Sequence, residues 1–266
     1  MDTRQNVMVD GRRIAYRRAG SGPPLVLLHG IGGNADQWRE QLAGLSGAFD
    51  VVAWDAPGYV GSDDPAGDWA NADYGAALAG FLDALGLERV HLVGQSWGGV
   101  IAQGFAGRYP QRLRSLTLAN TFSAGAQPEE GRRASRDARL RALATMTPAE
   151  MAEARVDAVL APDPPVALRR EVVDMLAAIR PSGYRAATNA IYGADERAAL
   201  PRIDLPVLVV AGDQDAVVPL ERVEQLAAAI PGARLAVFPG SGHLTNQEQP
   251  RRFDQVLGDF LAGVDA

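Results

Sequence analysis

Residues 90–110 read VHLVGQSWGGVIAQGFAGRYP. An apolar run suited to a buried strand meets a serine hemmed in by glycines, and a helical pattern follows at once. The core of the stretch, Gly94-Gln95-Ser96-Trp97-Gly98 with Gly99 added, matches G-x-S-x-G. Glycines at those places permit a sharp, strained turn and a close approach of strand to helix, and the turn lifts the serine hydroxyl clear of the sheet. The short pattern is weakly specific alone; its position between a strand and a helix is the informative part.

Working outward, the strand–turn–helix unit recurs. "PPLVLLHG" is an apolar strand ending in a glycine-rich loop, and a helix is predicted from about Asn34 to Leu45, with Asn34 as its N-cap. "FDVVAWDAPG" precedes the helical "NADYGAALAGFLDALG", and "LRSLTLAN", "LPVLVVAG" and "ARLAVFPG" are three further buried strands. Upstream, "NVMVDGRRIAYRRAG" reads as a hairpin turning at Asp10-Gly11, and the last helix is "QPRRFDQVLGDFLAGV". Strands that alternate with helices require crossover connections, hence an α/β fold with a mostly parallel sheet covered on both faces. Between residues 120 and 203 the strand signal lapses into alanine- and arginine-rich helical pieces divided by prolines. The expected organisation is a core over 1–120, an inserted helical cap or lid over 121–203 and the rest of the core over 204–266.

Composition removes several function classes. At 266 residues, 47% hydrophobic and 22% charged, the chain can bury a sizeable core, and a formal charge of −6 gives no electrostatic reason to bind nucleic acid or an anionic membrane. The N-terminal residues lack a signal-peptide apolar stretch, and no run has spanning length, so a cytoplasmic protein without a membrane partner is expected, as monomer or homodimer. There is no cysteine, and all 26 basic residues are arginine. That excludes a thiolate nucleophile, a Walker loop, pyridoxal Schiff-base chemistry and a serine–lysine dyad. Three histidines without an HExxH pattern argue against a transition metal, so no metal and no cofactor are expected.

A serine hydroxyl needs a base to take its proton and a carboxylate to orient that base. His29 ends a core strand and His91 lies inside one, where structural roles suit them better. His243, in "FPGSGHLTNQEQP", sits in a loop after the last strand and is the predicted base. "GDQDAVVP" offers Asp213 as a turn residue and Asp215 as the orienting acid, giving the chain order Ser96, Asp215, His243. The oxyanion formed by attack on a carbonyl needs backbone donors, and the amides of Trp97 and Ile31, the latter from "HGIGG", are the predicted pair. Candidate pocket residues are Trp97, Phe122, Met146, Tyr184, Tyr192, Val217 and Leu244. Cap arginines such as Arg132, Arg139 or Arg185 are candidates to meet a substrate carboxylate, with a solvated helix face as the simpler role. Tyr59 and Val60 occupy a loop that reads equally as a site mouth or a surface turn, and Trp38 as packing of the first helix.

"LLHGIGG", "WDAPGYVGSD", "GQSWGGVIA", "GDQDAVVP" and "GSGH", in this order, resemble the α/β-hydrolase superfamily over essentially the whole chain. Within it, "LTLANT", "YRAATNAI" and "GHLTNQEQP" look like 3-oxoadipate enol-lactonases. That resemblance implies a cofactor-free carboxylic ester or lactone hydrolase working through an acyl-enzyme, on a small molecule such as an enol-lactone. Trp97 departs from the smaller residue usual there, and "WDAPGYVGSD" from the usual charged version. Meta-cleavage-product hydrolases, which break a carbon–carbon bond beside a ketone, share the triad and cap placement. A non-catalytic ligand receptor on the same fold is the third reading.

Overall fold

The computed structural model describes residues 3–265. The apolar runs become eight strands: β1 (Gln5–Val9), β2 (Arg12–Ala19), β3 (Pro24–Leu28), β4 (Asp50–Trp54), β5 (Val90–Gln95), β6 (Leu113–Ala119), β7 (Val207–Gly212) and β8 (Arg234–Phe238). They form one sheet in the order β1-β2-β4-β3-β5-β6-β7-β8. The β1–β2 hairpin turns at Asp10 and Gly11, both with positive φ, and β2 runs antiparallel to β4; every later pairing is parallel. This is the α/β-hydrolase architecture that the motifs imply.

Period-two alternation sends successive strand residues to opposite faces. Val26, Leu28, Val90 and Leu92 join a core under α2 (Asn71–Ala84) and α3 (Trp97–Arg108). Leu25, Leu27 and Val93 join a second core under α1 (Arg39–Leu45) and α10 (Pro250–Asp265), where Trp38 packs on Phe253. The helix predicted over 34–45 begins as a 3₁₀ turn, Ala35–Trp38, whose N-cap Asn34 accepts from the Asp36 amide at 2.8 Å. A helix not read from the sequence, α8 (Leu220–Ala228), precedes β8. No helix among the described residues is long and apolar enough to cross a membrane.

Register decides where the chemistry can sit. Leu28 pairs with Gly94, Gln95 with Ala119, and Gly212 with Phe238, so β3, β5, β6, β7 and β8 end along one edge of the sheet. The strand order reverses between β3 and β5, and that edge at such a reversal is the usual crevice for ligands. Four helices, α4 (Glu129–Thr145), α5 (Pro148–Val159), α6 (Val166–Ala177) and α7 (Pro181–Gly193), are inserted between β6 and β7. Pro148 and Pro181 open two of them at the first position, where a missing N–H is harmless, and Thr147 with Glu150 forms a capping box on α5.

Asp254 of α10 is half-buried and accepts from the Gln41 amide at 3.0 Å. Burial raises its pKa to about 6, aided by Glu40 and opposed by Gln41. The folded state therefore holds this proton more tightly than the unfolded chain, and stability falls as pH rises from about 4 to 6. Asp254→Asn is expected to melt higher than wild type at pH 8 and to lose that advantage at pH 4, read by thermal unfolding at both pH values.

Candidate active site

The turn after β5 is as strained as its glycines imply: Ser96 sits at φ 52°, ψ −116°, in a region nearly reserved for glycine. Close packing holds it there. A Cβ on Gly98 would lie 2.3 Å from the Leu28 carbonyl oxygen, and one on Gly94 would lie 2.4 Å from the carbonyl oxygen of Gly98. The Ser96 amide donates to the Ala119 carbonyl at 2.9 Å, and the Thr121 hydroxyl donates to the Ser96 carbonyl at 2.7 Å. Helix α3 starts at the next residue, Trp97.

Asp215 follows β7, in the loop before α8. Its Oδ1 accepts from the amides of Val217 and Val218, each at 2.8 Å. Its Oδ2 accepts from Asn120 Nδ2 at 3.2 Å and from His243 Nδ1 at 2.8 Å. Burial pushes this carboxyl up, but the His243 imidazole, the Val218 amide and Asn120 prevail and hold it below the ordinary carboxylate value. With Nδ1–H given to Asp215, the His243 Nε2 lone pair is free to accept a proton. Ser96 and His243 line one cavity, although no hydrogen bond joins them among the described residues. The Ile31 and Trp97 amides likewise have no acceptor among the described residues.

The other two histidines are occupied. His29 Nδ1 donates to the Gly30 carbonyl at 2.8 Å while Nε2 accepts from the Ala56 amide at 3.0 Å; burial, against the Gly30 contact and helped by the Arg4 charge, lowers its pKa to about 4. His91 bonds Ser115 and Asp265, and burial lowers its pKa despite the Asp265 carboxylate. Neither presents a free lone pair to Ser96.

The His243 loop is fixed by residues that motif reading passes over. Asn120, at the β6 end with φ 47°, donates to the Gly242 carbonyl as well as to Asp215. Gln95 donates to the His243 carbonyl at 2.8 Å and accepts from Gln37. The His243 amide donates to the Val159 carbonyl at the end of α5. Glu248 accepts from the Gly242, Leu244 and Ala161 amides, which ties both sides of His243 to the inserted helices. Asp213 accepts from the Gly240 amide across the loop at 2.7 Å, where a bond to its own turn was expected.

The cavity is narrow, about 20 Å³, and is walled by Gly30, Ile31, Gln95, Val159, Met175, Leu176, Leu244 and Arg155. A second, smaller space of about 10 Å³ shares Ile31, Leu176 and Arg155 and adds Tyr184, Met151 and Ile179. Of the pocket candidates, Leu244 and Tyr184 therefore line these spaces. Trp97 is fully buried against Tyr59, Tyr74 and His29, and Phe122 lies under the Arg222 guanidinium at 4.5 Å. Met146 and Val217 are partly buried against the core, and Tyr192 receives a hydrogen bond from Arg139. Tyr59 is no surface turn: it is fully buried, and its hydroxyl accepts from the Gly32 amide at 3.5 Å. A roomier depression between the first hairpin and α2, lined by Arg12, Asp63 and Trp69 among others, contains neither serine nor histidine.

The family model for the alpha/beta hydrolase fold matches residues 23–250, and the chain belongs to that family. It is similar to 2-hydroxymuconate semialdehyde hydrolase from a Pseudomonas species, 31% identical and covering 98% of this chain and 95% of that one. Among solved structures, the enol-lactonase from Burkholderia xenovorans aligns with TM-score 0.88 at 27% identity over 97% of this chain and all of that one. A thermophilic esterase from Thermogutta terrifontis aligns with TM-score 0.90 at 28% identity over 99% of this chain and all of that one.

Glu248 supplies three acceptances to loop amides. Glu248→Gln replaces one acceptor oxygen with a donor facing an N–H, and is expected to lower stability by about 1–3 kcal/mol, measured by urea unfolding at pH 8.

Proposed function

We propose that the protein hydrolyses carboxylic esters or lactones of small molecules, with Ser96 as nucleophile, His243 as base and Asp215 as its orienting carboxylate. The observation that carries this reading is the shared cavity: a serine in a strained turn and a histidine whose Nδ1 is bound to a buried carboxylate face the same space. Ser96 Oγ attacks the carbonyl carbon as its proton passes to His243 Nε2. The imidazolium that forms is stabilised by Asp215, and the oxyanion by the Ile31 and Trp97 amides, donors worth about 3–4 kcal/mol each in such sites. His243 then protonates the leaving alkoxide, which departs as the C–O bond breaks. Water, deprotonated by the same Nε2, attacks the acyl-enzyme and releases the acid and Ser96. For a lactone the leaving alcohol stays on the acyl group. Residues 121–203 serve as a cap that walls this space with Val159, Met175 and Leu176.

A second reading, hydrolysis of a carbon–carbon bond beside a ketone, is favoured by the likeness to 2-hydroxymuconate semialdehyde hydrolase. Products separate the two: an acid with an alcohol or an opened ring in the first case, two carbon fragments in the second. Ser96→Ala is expected to abolish turnover of aryl esters and lactones without lowering the melting temperature. Asp215→Asn is expected to keep the fold and lower kcat by up to about 10⁴-fold, because the imidazole loses its tautomer and charge partner. Both are checked by proton release at fixed pH with mass identification of products; undiminished turnover by Ser96→Ala rejects the assignment.

A further inference from the structure

Among the described residues, the non-glycine positions at positive φ are Asp10, Val60, Ser96, Asn120 and Asp163. Aspartate and asparagine tolerate that region, and Ser96 is the elbow serine. Val60, at φ 35°, is β-branched and is a steric outlier there. Such a conformation persists only where the surroundings over-determine it. The turn that carries it, residues 58–62, must be held from outside.

The hold comes from the inserted helices. Arg180, the N-cap residue of α7, spreads its guanidinium over the turn. Its Nε donates to the Gly58 carbonyl at 3.3 Å, Nη1 to the Val60 carbonyl at 3.4 Å and Nη2 to the Ser62 carbonyl. Nη2 also pairs with Asp64 at 2.6 Å, and Asp64 accepts from the Ser182 hydroxyl at 2.6 Å. Gly183, one residue further, packs so closely on Gly58 that a side chain at either would collide with the backbone of the other. The planar fork of arginine can serve three carbonyls and a carboxylate together, which an ammonium cannot.

Tyr59, next to Val60, passes the position on. Its ring is fully buried, 4.9 Å from the His29 ring and 5.6 Å from the Trp97 ring, and its hydroxyl accepts from the Gly32 amide at 3.5 Å. That hydrogen bond is long, so ring packing carries most of the restraint. His29 and Gly32 bracket Ile31, and Trp97 follows Ser96. One side chain therefore touches both segments whose amides are to receive the oxyanion.

We propose that Arg180 is a positioning residue: it clamps the strained turn at Val60 and, through Tyr59, sets the Ile31 and Trp97 amides, so that seating of α7 on the core controls the rate of acyl transfer. This rests on Ser96 as nucleophile and those amides as its donors.

The test follows para-nitrophenyl acetate hydrolysis by wild type, Arg180→Ala, Arg180→Ala combined with Val60→Gly, and Arg39→Gln. Arg39 makes another ion pair to the inserted helices, with Glu171 at 2.8 Å, and controls for their general loosening. Arg180→Ala is expected to lower kcat at least about tenfold with KM within about twofold, as for an interaction that matters only in the transition state. Glycine at 60 adopts positive φ without a clamp, so Val60→Gly is expected to restore at least about threefold of the kcat lost in Arg180→Ala. Amide hydrogen exchange over residues 29–34, read by mass spectrometry, should be faster in Arg180→Ala than in wild type and unchanged in Arg39→Gln. The proposal is overturned by undiminished kcat in Arg180→Ala, by a loss borne by KM alone, by no recovery with glycine at 60, or by the same exchange effect in Arg39→Gln. If Arg180→Ala does not fold, Arg180→Lys, which keeps the charge and loses the fork, takes its place under the same criteria. If wild type turns over no ester, the nucleophile assignment falls, and exchange over 29–34 decides the clamp alone: faster in Arg180→Ala supports it, and unchanged overturns it.

Discussion

A serine at φ 52° is a cost of about 1–3 kcal/mol that the surroundings must over-determine, and most of the sheet edge is arranged around meeting it. Strand β3 comes so close to α3 that only a glycine fits at 98, and β6 clamps Ser96 from the other side through Ala119 and Thr121. Those contacts come from both neighbours of β5, so the turn depends on the sheet order itself. The strain is useful because it leaves the hydroxyl in the cavity at the start of a helix, where backbone N–H groups and the helix dipole favour negative charge.

The proposed nucleophile is one third of the arrangement; the other two parts arrive on loops, which are mobile unless tied. Here the ties are buried amides and one carboxylate. Gln95, next to Ser96, holds the His243 carbonyl, and Gln37 joins Gln95 to the loop after β3. Asn246 donates to the Gln37 carbonyl and to Gln41, and Asn120 spans Asp215 and Gly242. Inside a low-dielectric interior such bonds reinforce one another, and losing one member leaves its partners unsatisfied. Glu248 extends the same set to the inserted helices through the Ala161 amide, so the His243 loop and the end of α5 share an anchor.

What the sequence discloses and what it conceals divide along a physical line. The elbow, the hairpin, the eight strands and the Asp215 and His243 loops are legible because each is set by a local pattern: a glycine spacing, a run of buried apolar residues, a turn dipeptide. Two of the four helices of the insertion are legible through proline at their first positions. Asn120, Gln95 and Glu248 are not, since each acts on a backbone far away in the chain, such as Gln95 on His243 and Glu248 on Ala161. Tyr59 reads as a loop residue and is a buried aromatic because Trp97 and His29 close over it. Arg155 is one of 26 arginines, and nothing in its neighbours distinguishes it; its place on the cavity wall is a property of the packed helices.

The most direct measurement is covalent trapping. An alkyl fluorophosphonate, a tetrahedral mimic of acyl transfer, is added to wild type and to His243→Ala, and the modified peptide is located by tandem mass spectrometry. One adduct on Ser96 is expected in the wild type and almost none in His243→Ala at equal times. An adduct at another residue, or equal labelling of Ser96 without His243, would contradict the claim that a buried Asp215–His243 pair activates the strained serine.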